Sequence, residues 1–146
     1  MRVLVCGSRD WTDETIVAVV LDGLDWYDTE DHIGTVVIEG GARGADRIAA
    51  EWCRKGCGPD QPDRIEHEQY PADWETHGKA AGPIRNQRML DEGKPDVVIA
   101  FKDGFRRPLL NDDGSEFKPH LVRGGTEDLV RRAKAAGIPC YVVSHG

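Results

Sequence analysis

No apolar run in the 146-residue chain approaches the ~18 residues that would span a membrane, and the start, Met1-Arg2-Val3-Leu4-Val5-Cys6, has no signal-peptide apolar region or cleavage site. No membrane association and a cytoplasmic location are therefore expected. Excess positive charge is also lacking: 19 Lys+Arg stand against 26 Asp+Glu, a net charge of -7. There is no basic run interleaved with aromatics either, which argues against a nucleic-acid partner. Cysteine is sparse, four residues in all (Cys6, Cys53, Cys57, Cys140). Cys53 and Cys57 share a helix face by spacing, but no second Cys or His pair at zinc-site spacing accompanies them. No metal and no cofactor are expected, and Cys6 and Cys140, in apolar runs, read as small core residues. Internal repeats and low-complexity tracts are absent.

What remains is enough apolar sequence (39%) for one core of ordinary domain size, so residues 1–146 are expected to form a single domain. Five short runs, Arg2 to Cys6, Val36 to Glu39, Arg64 to Gln69, Val97 to Phe101 and Cys140 to Val143, alternate with helix-like stretches. That alternation is the signature of an α/β fold with a parallel sheet. The first and fourth runs are continuously apolar, as in central strands covered on both faces; the third, Ile65-Glu66-His67-Glu68-Gln69, is polar and suits an edge. The expected fold is a Rossmann-like open parallel sheet of about five strands with flanking helices, in the order 3-2-1-4-5 counted along the chain.

Helices are expected over Glu14 to Leu24, with Thr12 or Asp13 as cap and closure near Gly23; over Ala45 to Lys55; over Pro83 and Ile84 to Glu92, closed by Gly93; and over Glu127 to Ala136. Residues 102–123 are too long for an ordinary connection and read as an insertion. Phe105 to Leu110 and Phe117 to Val122 flank Asn111-Asp112-Asp113-Gly114, which suits a hairpin flap or an oligomerisation arm, so a homo-oligomer is an open expectation.

Ligands of open parallel sheets bind beyond the carboxyl ends of the strands. There the sequence places Gly7-Ser8-Arg9-Asp10, either an anion-contacting turn or a plain one with a solvated arginine. It also places Glu39-Gly40-Gly41-Ala42-Arg43-Gly44-Ala45-Asp46, whose three glycines let backbone N–H groups at a helix start face outward to an anion. This loop is neither a Walker A loop nor a dinucleotide glycine fingerprint, and Asp46 suits either a structural cap or a ribose contact. Arg85 and Asn86, in the first turn of the third helix, can reach the same end. Arg123-Gly124-Gly125-Thr126-Glu127-Asp128 repeats the glycine-then-helix design, with Thr126 as cap or phosphate donor. Trp74 is a candidate for the ligand side or for packing on the following helix; His67 and His77 have no evident partner.

Together these residues resemble a known family. Val5-Cys6-Gly7-Ser8-Arg9-Asp10, the Glu39 to Asp46 loop, Tyr70-Pro71-Ala72-Asp73-Trp74 and Ala81-Gly82-Pro83-Ile84-Arg85-Asn86 resemble the YspA/YpsA-related branch of the SLOG superfamily. That superfamily is similar in fold to the Lonely Guy phosphoribohydrolases, often misannotated as lysine decarboxylases, and to the DNA-processing protein A mediators. The resemblance implies a Rossmann-like domain binding a nucleotide or nucleotide-derived small molecule as a sensor or binding protein. The pocket residues implied are Gly7, Ser8, Arg9, Gly40, Gly41, Arg43, Gly44, Asp46, Arg85, Asn86, Gly125 and Thr126. The alternative it implies is phosphoribohydrolase cleavage of the N-glycosidic bond of a nucleoside monophosphate, with Asp46, Arg85, Glu127 and Asp128 as catalytic candidates. The Lonely Guy loop Pro-Gly-Gly-x-Gly-Thr-x-x-Glu is matched here in its Gly-Gly pair and Thr; the proline, third glycine and spaced glutamate are missing.

Overall fold

A computed structural model describes residues 1–27, 34–56, 65–105 and 124–146. The elements run β1 (Arg2–Gly7), α1 (Glu14–Tyr27), β2 (Thr35–Glu39), α2 (Ala45–Gly56), β3 (Ile65–Gln69), α3 (Trp74–His77), a 3-10 turn (Gly78–Ala80), α4 (Ala81–Gly93), β4 (Val97–Phe101), α5 (Gly125–Ala135) and β5 (Cys140–Val143). All neighbouring strands pair in parallel, in the order β3-β2-β1-β4-β5. This is the expected Rossmann-like α/β sheet, with the polar β3 at one edge.

Side chains alternate across each strand, so β1 serves two cores at once. Val3 and Val5 join Val17, Leu21, Val37, Ala49 and Phe101 beneath α1 and α2, while Leu4 and Cys6 join Ile38, Met89, Leu90 and Leu129 beneath α4 and α5. β2 and β4 are buried along their whole length, which is why they read as unbroken apolar runs. β5 is the other edge, and Tyr141 there is 60% exposed. Cys140, expected in the core, is therefore only half-buried; Cys6 and Cys53 are buried. Cys57 and residues 106–123 of the expected insertion lie outside the described residues.

Three helix ends differ from expectation. α1 is capped by Asp13, whose Oδ1 accepts from Ile16 N–H at 3.1 Å, and it continues past Gly23 to Tyr27. Gly23 is exposed with open space around its Cα, and Leu24 beyond it packs on the core, which offsets the modest cost of a helical glycine. α4 starts at Ala81, so Pro83 is its third residue, still among the N–H groups that need no intrahelical partner. It ends at Gly93, and the left-handed residue that closes it is Lys94 (φ 46°); Gly93 itself is buried against Ile38. α5 starts two residues early, at Gly125, with Gly124 at φ 99° as its cap, which places Thr126 inside the helix rather than at its cap. Among the described residues no helix is long and apolar enough to cross a membrane.

Candidate functional site

The carboxyl ends of β1, β2 and β4 open into a cleft of two adjoining hollows. The first, about 350 Å³, is walled by the β1 turn (Gly7, Ser8, Arg9), Asp46, the start of α4 (Arg85, Asn86) and the start of α5 (Gly124, Gly125, Thr126), over Cys6, Met89 and Leu129. The second, about 430 Å³, is walled by Gly40, Gly41 and Arg43 on one side and Pro71, Ala72 and Trp74 on the other. Arg9, Ala42 and Arg85 line both hollows and form the waist between them.

Local packing sets the β1 turn against α2. Ser8 N–H donates to Phe101 O at 2.9 Å, and Ser8 O accepts from Ala45 N–H at 3.3 Å. Gly44, at φ 77°, lies so close that a Cβ there would stand 2.1 Å from Ser8 O. Gly44 thus lines neither hollow and joins the two loops instead. Ser8 Oγ accepts from Asp10 N–H at 3.1 Å, closing the turn that presents Arg9.

The β2 loop differs from the outward-facing anion cradle expected of it. Asp46 Oδ2 accepts from Gly40 N–H at 3.0 Å and from Ala42 N–H at 3.3 Å, and Glu39 Oε2 accepts from Gly41 N–H at 2.5 Å. Two carboxylates of the chain's own therefore occupy the three amides. Glu39 is fully buried and saturated, since its Oε1 also meets His67 Nε2 and Gln69 Nε2, each at 2.8 Å. His67 thus has a partner that the sequence did not disclose. Burial first, then the charge of Glu39, pushes the Asp46 carboxyl up to about 7.

Outward-facing amides occur instead at α5. The N–H groups of Gly125, Thr126 and Glu127 have no partner among the described residues, as expected of a first helical turn, and the helix dipole favours an anion there. Arg85 is half-buried; its Nη1 donates to Gly40 O at 2.5 Å and its Nε to Asn86 Oδ1 at 3.1 Å, and it forms no ion pair among the described residues. Desolvation chiefly, with a lesser push from the Arg9 charge, lowers its pKa. The exposed Arg9 likewise forms no ion pair among the described residues. Asn86 is buried and donates through Nδ2 to Gly125 O at 3.0 Å and Asp128 Oδ2 at 3.1 Å, tying α4 to the start of α5.

Glu127 and Asp128 line neither hollow. Glu127 is ion-paired to Lys102 at 2.7 Å, and Asp128 to Arg132 at 2.8 Å and Arg131 at 3.3 Å. Of the three candidate carboxylates only Asp46 faces the cleft. Trp74 does both things weighed for it: half-exposed, it lines the second hollow, and its ring edge lies against Gly82. Lys102, Cys6, Met89 and Leu129 are cleft residues that the glycine motifs did not reveal; a lysine directly after a central apolar strand is the one signal that marked this position.

Comparison with known proteins identifies the family. A family model, that of the YspA, cpYpsA-related SLOG family, matches residues 1–77, which is β1 through α3. The chain belongs to this family. The SLOG span includes the β1 turn, the Glu39 to Asp46 loop and Trp74. The Gene 61 protein of Mycobacterium phage D29 is 40% identical over 142 residues, covering 94% of this SLOG chain and 92% of the phage protein. No solved structure matches the chain at a significant level.

Proposed function

We propose that the cleft binds a phosphorylated nucleotide or nucleotide-derived small molecule, as a binding or sensing protein. The observation that carries this reading is one hollow lined by Gly125 and Thr126, whose amides at the amino end of α5 are unpartnered among the described residues, and by two guanidiniums, Arg9 and Arg85, that have no carboxylate partner among them. In a chain of net charge -7 such groups suit an anion drawn from outside. The second hollow, with Trp74 and Pro71, offers an apolar wall for a base. SLOG membership is in keeping with a nucleotide-related role.

The test is a thermal-shift screen against nucleoside monophosphates, cyclic and dinucleotides, NAD and ADP-ribose, with mass spectrometry of each mixture. A ligand bound only by the folded protein raises the melting temperature. A shift with the ligand recovered intact is expected; no shift with any nucleotide in folded protein would overturn the reading. A second reading, N-glycosidic cleavage of a nucleoside monophosphate, is favoured by one observation: Asp46, with its pKa near 7, is in the range of a general acid or base and faces the cleft. Free base and ribose phosphate in the same mixtures would establish it.

A further inference from the structure

We infer that the unpartnered oxygen of Asp46 is the contact for a sugar hydroxyl, so that the first hollow selects ribose-containing nucleotides over their deoxy counterparts. This rests on the nucleotide reading above and specifies which part of the ligand meets Asp46.

Asp46 is 5% exposed and lines the first hollow. Its Oδ2 takes both Gly40 and Ala42 amides, and its Oδ1 has no partner among the described residues. Several neighbouring donors are engaged with other groups. Gly41 N–H goes to Glu39, the Arg85 guanidinium to Gly40 O and Asn86, and the Asn86 amide to Gly125 O and Asp128. Glu39, the other acid at the end of β2, is saturated by His67, Gln69 and Gly41 and lines neither hollow. Oδ1 is the oxygen of this carboxyl left open to the hollow, so what pairs with it is what enters the hollow.

The chemistry of that partner follows from the groups around Asp46. Glu39 from β2 and Arg85 from α4 act on its charge in opposite senses, and the Cys6 thiol from β1 is held neutral by burial. Farther round the hollow are Arg9 in the β1 turn and the Lys102–Glu127 pair. Asp46 is thereby populated as both acid and carboxylate near neutrality. A phosphate oxygen can pair only with the acid and an ammonium only with the carboxylate, whereas a hydroxyl both donates and accepts and pairs with either. Phosphate has its own place at the amino end of α5 and at the arginines, leaving the sugar beside Asp46.

The experiment is calorimetric titration of the intact protein with AMP and its deoxy and dideoxy analogues at about pH 6 and about pH 8. Loss of a hydrogen bond to a group that is charged part of the time predicts binding of dideoxy-AMP about tenfold or more weaker than AMP. The ratio should hold at both pH values, since titration of the phosphate affects both ligands alike. Asp46→Asn keeps an acceptor for the Gly40 and Ala42 amides and an N–H for the hydroxyl, so it should preserve the ratio, while Asp46→Ala should shrink it several-fold. Equal binding of AMP and dideoxy-AMP, a ratio that collapses at the higher pH, or a ratio untouched by Asp46→Ala in variant protein that still binds AMP would each overturn the inference while leaving the nucleotide reading in place. Failure of every analogue to bind at millimolar concentration would defeat the nucleotide reading and this inference with it.

Discussion

Gly40 and Arg85, forty-five positions apart, occupy neighbouring space: a Cβ built on Gly40 would stand 2.5 Å from Arg85 Nη1, the nitrogen that donates to Gly40 O. The obstructing atoms are the far end of a flexible side chain, so Gly40→Ala should fold and displace the guanidinium instead of breaking the loop. The expected outcome is a melting temperature within a few degrees of the parent and anion affinity reduced about tenfold, the scale of one charge-assisted hydrogen bond. Titration of a bound nucleotide against the variant checks it.

Asp46 makes stability depend on pH in an unusual direction. Its carboxyl is raised from 3.8 to about 7 on folding, so between those values the folded state holds a proton that the unfolded state releases. The contribution is fully present below about pH 4 and is lost as pH rises through 7. Asp46→Asn removes this dependence. The difference in unfolding free energy between variant and parent, measured by urea titration, should move in favour of the variant from about pH 4 to about pH 7 and then level off.

Lys94 closes α4 at φ 46°, a left-handed conformation that glycine adopts without steric cost. Lys94→Gly should therefore be neutral to stabilising by up to about 1 kcal/mol, where most exposed helix-to-glycine changes destabilise. Denaturant midpoints decide between the two signs.

His145 bridges Asp103 and Asp13, with Nδ1 to Asp103 Oδ2 at 2.8 Å and Nε2 to Asp13 Oδ2 at 2.9 Å, and stacks on Trp11 with ring centroids 4.5 Å apart. The bonds to Asp103 and then Asp13 raise the histidine pKa, and those same contacts lower both carboxyls. Tail docking should hold between the carboxyl range and the raised histidine value. It should weaken as pH falls through the lowered carboxyls and as it rises through the histidine. In a proton NMR titration His145 should ionise above 6.5, and Asp103→Asn should bring it back toward that value.

The sheet was legible in the sequence because it rests on period and polarity: a strand covered on both faces, such as Val97 to Phe101, must be apolar throughout, and an edge strand such as β3 need not be. α3 was not legible. Four residues carry no period, and their cap, in which Asp73 Oδ1 accepts from Thr76 N–H at 3.1 Å, is a purely local bond. The β2 loop was legible as a cleft wall but not in its wiring. Three glycines before a helix read as free amides, and only folding brings Asp46 and Glu39 back onto them. Glu127 and Asp128 illustrate the same limit, since their neutralising partners Lys102 and Arg132 are set by how α5 lies on β4 and along its own turns.

The junction of Gly44 with Ser8 has a consequence for how such a cleft diversifies. Because the β1 turn and the start of α2 are each seated on the other's backbone, neither tolerates a longer or bulkier version of itself alone, and Arg9 and Asp46 keep a constant separation. The opposite wall, Pro71, Ala72 and Trp74, has no such backbone interlock among the described residues. Substitutions that alter which molecule is accepted should therefore accumulate around Trp74, with the half of the cleft built by the β1 turn and α2 inherited unchanged.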